Sequence, residues 1–123
     1  MNFEKKLKKN NILLPKAADP VGSYVASKII GKLLYISGQI SMDAEGKLIK
    51  GKVGKDLDVD KGYKAAERCA LSIVSQAKKA CDNDLSKIKS CVKSITRVIE
   101  TVLDGDSLYV TLISSIHNLN FNS

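Results

Sequence analysis

Two periods of apolar spacing run along this chain, and each predicts a different element. Phe3 and Leu7 stand four apart among lysines and one glutamate, which predicts a short amphipathic helix over 2–10 that stops at the Asn10-Asn11 pair and packs on one edge of the domain. Pro15 and Pro20 push the residues before them toward extended backbone, so 13–22 is an irregular approach. Two β-branched runs, 23–30 and 33–40, flank Gly31-Lys32 and predict a β-hairpin with a two-residue turn. Asp43-Ala44-Glu45-Gly46 supplies the next turn, 47–50 returns as a short strand, and Gly51-Lys52-Val53-Gly54 forms a surface loop.

The helical period takes over in the centre. Ala66, Cys69, Ala70, Ile73, Ala77, Ala80 and Cys81 share one helical face. Asp58 or Asp60 caps the start, Lys78 and Lys79 complement the negative end of the dipole, and Asp82-Asn83-Asp84 ends the helix. The small residues of the stripe suit close packing against a sheet. Residues 88–102 carry both periods: Ile88, Val92, Ile95, Ile99 and Val102 have helical spacing, while the density of valine, isoleucine and threonine favours a strand, taken here as 88–99. Asp104-Gly105-Asp106 is a turn, 108–116 a last strand, and 118–123 a loose polar tail.

Composition narrows the class. The chain has 123 residues, 44% of them hydrophobic and 27% charged, which describes one folded domain, and it has no apolar run of the roughly 18 to 20 residues that a membrane span needs. A net charge of +7 permits an anionic partner, but the lysines are scattered and six aromatics make a base-stacking platform improbable, so nucleic acid is not the expected partner. Cys69, Cys81 and Cys91 form no CxxC pair and His117 stands alone, which argues against a disulfide framework or a metal site. Cys69 and Cys81 lie on the helix stripe and Cys91 in a strand, so none is taken as a nucleophile. The lysine-rich start followed by a short apolar run does not read as a secretory signal, and a cytoplasmic location is expected.

Leu14-Pro15, Val21-Gly22-Ser23-Tyr24-Val25, the run from Gly31 to Ile40 ending in Ser37-Gly38-Gln39-Ile40, Gly51-Lys52-Val53-Gly54, and Ala65-Ala66-Glu67-Arg68-Cys69-Ala70-Leu71 occur in an order and spacing that resemble the Rid family of reactive-intermediate deaminases, also called YjgF-type or L-PSP proteins. The match is with the longer subfamily carrying an extra N-terminal helix, and it covers about 4–94. The resemblance implies a single domain over 1–123, with an N-terminal helix in 1–12 and a divergent tail over 95–123. It implies an α+β, chorismate-mutase-like fold, a homotrimer with small-molecule clefts between subunits, and hydrolysis of enamines and imines of the 2-aminoacrylate type to 2-keto acids and ammonia, without metal or cofactor.

Such hydrolysis needs a cation for the substrate carboxylate, groups that orient the C=N carbon, and a positioned water. The residues that match the family's cleft wall are Tyr24, which closes the pocket, Ser37, which hydrogen-bonds substrate or water, Gly38, which lets the backbone approach, and Gln39. Without the family context, a strand-end Ser-Gly reads as a turn or bulge. The family's arginine at the start of a C-terminal strand has no counterpart; Arg97 is the arginine present beyond Ser94 and is the substitute candidate. Three functions remain open: a deaminase, a non-catalytic trimer that binds a small carboxylate or a protein, and an RNA-binding protein or endoribonuclease.

Overall fold

The computed structural model describes residues 3–20, 22–103 and 106–119, and side chains as far as Ser94. Helix α1 (Phe3–Lys9) leads to a hairpin of β1 (Ser27–Ile30) and β2 (Leu33–Gln39), a long helix α2 (Val59–Ala80), a 3₁₀ turn (Leu85–Lys87), and two long strands, β3 (Ile88–Leu103) and β4 (Asp106–Leu119). All strand pairs are antiparallel, in the order β1-β2-β4-β3, with α2 packed across the sheet. The expected α+β arrangement of a sheet on one long helix is therefore present.

Local chemistry explains where the elements start and stop. Gly31 takes φ +58° and joins Ile30 to its partner Leu33 through Gly31-Lys32; a positive φ at the first central position alone is the type II′ pattern, whose twist matches that of the strands. Asp58 caps α2, its carboxylate accepting from the Lys61 amide at 2.8 Å. At the other end Asp82 and Asn83 adopt left-handed backbone and the Asn83 amide bonds back to the Lys78 carbonyl at 2.8 Å, the reversal that short polar residues tolerate at a helix end.

The core is the seam between β2 and α2. Leu34 and Ile36 meet Cys69, Ile73, Ala77 and Cys81, and Leu85 and Ile88 close the end of the seam. Phe3, Leu7 and Leu14 cover it from outside, and Glu4 pairs with Lys78 at 3.1 Å, so α1 sits at the C-terminal end of α2. The helix stripe is rotated from its expected phase: Ala65, Cys69, Ile73, Gln76 and Ala77 are buried, whereas Ala70 is exposed. A steep i+4 row wins over the alanine row because Ile73 and Cys69 have more apolar surface to remove from water.

Four expectations are corrected. The first strand begins at Ser27, not residue 23, because β2 is irregular where residues 23–26 would pair. Residues 47–50 make a single bridge, Met42 to Leu48, and no ladder; the Asp43 carboxylate accepts from the amides of Glu45 and Lys47, and Gly51 at φ +137° turns the chain away three residues after the bridge. The strand placed at 88–99 continues to Leu103, and the last strand runs from Asp106 to Leu119. Asn118 and Leu119 thus belong to β4, not to a loose tail: Asn118 lies between Leu33 on one side and Ser90 on the other, so its backbone is in the ladder whatever its side chain prefers. Asp104, Gly105 and 120–123, parts of the expected turn and tail, lie outside the described residues.

Gly51 offers a sharp test of the loop before α2. A Cβ there would stand 2.9 Å from Leu57 Cγ and 3.0 Å from Asp56 Cβ, at a φ that L residues rarely adopt. Gly51→Ala is expected to cost about 1–3 kcal/mol, read by denaturant unfolding.

Candidate functional site

The irregularity in β2 builds the site. Ile36 pairs with Ser115 and Gln39 with Ile113, so Ser37 and Gly38 together oppose a single residue of β4. This is a β-bulge, and it resets which side chains face the helix. Leu34 and Ile36 point inward before it, while Gln39 and Ser41 are the buried ones after it. A regular strand would have turned Gly38 inward and Gln39 out.

The bulge is held by its own side chains. The Ser37 amide donates to the Ala26 carbonyl at 3.0 Å and its hydroxyl to the Val25 carbonyl. The Gln39 amide nitrogen donates to the carbonyls of Ser37, at 3.0 Å, and Gly38, at 3.3 Å. Ser41 exchanges two bonds with Ile49, its hydroxyl donating at 3.0 Å and its carbonyl accepting at 2.7 Å. From the opposite side α2 ties down the incoming chain: Ser75 Oγ donates to the Pro15 carbonyl and Gln76 Nε2 to the Ala18 carbonyl, both at 2.7 Å.

Between these elements lies a cavity of about 110 Å³, lined among others by Asp19, Pro20, Tyr24, Gln39, Met42 and Gln76. The structure thus brings together two of the residues expected from sequence, Tyr24 and Gln39. Ser37 and Gly38 form the adjoining bulge and do not line the cavity. Since Ser37 spends its one hydroxyl proton on Val25, it can only accept from a ligand or water. Arg97 has its backbone in β3, paired with Leu112, and its side chain lies outside the described residues. Among the described residues no lysine or arginine lines the cavity; Lys79 meets Asp19 nearby at 3.4 Å.

Sequence reasoning missed Asp19 and Gln76. The signal for Gln76 was present: it continues the row Cys69, Ile73, Gln76, Ala80, and a polar residue on an apolar helical row needs a partner. A larger hollow of about 430 Å³ lies beneath α1, walled by Phe3, Leu7, Val74, Leu85 and Ile88, and is not lined by Tyr24, Ser37, Gly38 or Gln39. Among the described residues no cluster of three or more His, Cys, Asp or Glu side chains could hold a metal ion, and no helix is long and apolar enough to cross a membrane.

The buried thiols are placed for packing. Burial pushes the Cys69 thiol up from the ordinary value of 9.0 to about 11, and Cys81 is also raised, chiefly by burial. The unfolded chain therefore loses the Cys69 proton first, and stability falls as pH rises from about 9 through 11. Melting temperatures over pH 8–11 are expected to decline more steeply for the parent protein than for Cys69→Ala.

Comparison with known proteins places this geometry in a family. Residues 4–109 match a family model described as "YjgF/chorismate_mutase-like, putative endoribonuclease", a match that runs beyond the 4–94 carried by the motifs. Protein TCP17 of Trypanosoma cruzi is 39% identical over 87 residues, covering 71% of this chain and 54% of that protein, so the chain spans about half the length of this relative. A protein of unknown function from Agrobacterium tumefaciens superposes with a TM-score of 0.76 at 28% identity, covering 96% of this chain and 93% of the other. A "putative endoribonuclease" from Shewanella oneidensis MR-1 superposes at 0.83 with 24% identity, covering 97% and 100%, and shows the shared fold alone.

Proposed function

The chain belongs to the YjgF/chorismate-mutase-like family, and from that premise we propose that it is a Rid-type deaminase, hydrolysing imines and enamines of the 2-aminoacrylate type to 2-keto acids and ammonia. The observation that carries the reading is the meeting of Tyr24 and Gln39 in one cavity beside the Ser37-Gly38 bulge. An enamine acid first takes a proton at its terminal carbon to become the iminium. Water then adds to the C=N carbon, its proton passes to nitrogen, the C–N bond breaks, and a keto acid and ammonium leave. Tyr24 can donate to or accept from the attacking water, Ser37 can accept from it, and the cavity's apolar wall limits competing solvent.

Among the described residues the cavity has no cation for the carboxylate, and a homotrimer with clefts between subunits would let a neighbouring copy supply one. In support, Ile30 and Tyr35 lie on the sheet face opposite Leu34 and Ile36, and both are exposed. Sedimentation is expected to report three times the 13.3 kDa chain mass. The family's description as an endoribonuclease family and the net charge of +7 support a second reading, RNA cleavage.

The test is the rate at which the purified protein consumes an imine acid generated in the cuvette, against the spontaneous rate. Acceleration is expected, reduced about a hundredfold by Tyr24→Phe, the low end for loss of a proton-transferring or water-positioning group. A folded protein that leaves the imine at its spontaneous rate overturns the deaminase reading, and cleavage of labelled RNA by the same sample would put the second reading in its place.

A further inference from the structure

We infer that the cavity between residues 18–20, β2 and α2 is a site for a protonated amine or iminium nitrogen, held by the side-chain carbonyl oxygens of Gln39 and Gln76 with the Asp19 carboxylate at its mouth. The orientation of both amides follows from their neighbours. Ala18, Ser37 and Gly38 present carbonyl oxygens, which only accept, so each glutamine must turn its NH₂ group to them. That leaves the two Oε1 atoms, and neither has a protein partner among the described residues. Gln76 is 2% exposed and Gln39 9%, so bulk water reaches these acceptors poorly, and a buried acceptor is costly to leave unmet. Both residues line the cavity.

The described polar groups on the wall point to the same ligand chemistry. Gln39 and Gln76 offer acceptors, Tyr24 offers a hydroxyl that can accept, and Asp19 is an exposed carboxylate whose ion pair with Lys79 is long, at 3.4 Å. Pro20, Ala26, Ile40 and Met42 are apolar. Such a wall repels a carboxylate and suits N–H donors, charged ones above all. The cavity of about 110 Å³ suits a small group. The inference deepens the deaminase reading, on which the identification of the ligand as an imine rests, by assigning the end of the substrate that enters here: the nitrogen, with the carboxylate left outside the cavity.

The experiment uses protein labelled with ¹⁵N, whose Gln39 and Gln76 side-chain amides report directly. Methylammonium chloride is titrated against sodium chloride at equal ionic strength, with sodium acetate as the anion arm. Saturable shifts of both amides with methylammonium alone are expected, weakened about tenfold by Gln76→Met and severalfold by Asp19→Asn, an exposed change that leaves the core intact. Absence of a saturable shift, an equal response to acetate, or unchanged binding in Asp19→Asn overturns the proposal. Methylammonium binding by a protein that does not turn over imines removes the deaminase reading and supports the nitrogen site, and imine turnover without methylammonium binding removes the nitrogen site alone.

Discussion

Leu34→Ala is expected to lower the unfolding free energy by about 3–5 kcal/mol, the upper part of the range for truncating a fully enclosed leucine. Leu34 is 0% exposed. It sits in a strand paired on both sides, opposite Ile29 and His117, and faces α2, where Cys69, Ile73 and Ala77 share its cluster. Backbone pairing on both flanks keeps β2 from moving toward the helix, so the cavity left by the missing carbons cannot close. A fall of about 10–20 °C in melting temperature is expected for a domain of this size. Lys28→Ala, on exposed β1, should stay within about 0.5 kcal/mol, and a comparable loss in both variants would show that the seam between β2 and α2 is not the core.

Deleting Gly38 is expected to separate function from folding. With the extra residue gone, Ser37 alone faces β4, and regular alternation from Ile36 still leaves Gln39 and Ser41 inward, so the core and the Ser41–Ile49 bonds survive. The hairpin changes instead. The ladder that stops at Ser27 can continue into residues 23–26, pairing Tyr24 into a strand and drawing it from the cavity wall. Displacement of a positioning group by an ångström costs on the order of 10²-fold. The deletion variant should therefore keep a cooperative melt while imine hydrolysis falls by about that factor. Turnover at the parent rate would show that the bulge does not set the site.

How far the site could be read from sequence follows from the range of the forces that make it. Tyr24 and Gln39 were legible through motif order, yet nothing in the sequence said that they share a cavity while Ser37 and Gly38 stand beside it. That depends on one extra residue in β2 measured against β4, strands separated by 67 positions from Gln39 to Asp106 in the chain. Gln76 was visible as a polar interruption of an apolar helical row, but its importance rests on the Ala18 carbonyl 58 residues away.

What the sequence by itself determined is the local structure. The Gly31 turn, the Asp58 cap and the left-handed stop at Asp82-Asn83 arise from interactions within a few residues, so residue type and spacing decide them. The tertiary structure decided the rest. Residues 47–50 lost their ladder to the turns around them, Asn118 and Leu119 were taken into β4 between two neighbours, and the bulge turned Gln39 toward α2. Each of these outcomes balances a weak local preference against backbone hydrogen bonds and burial supplied by distant chain, and those terms exist only once the sheet and helix have met.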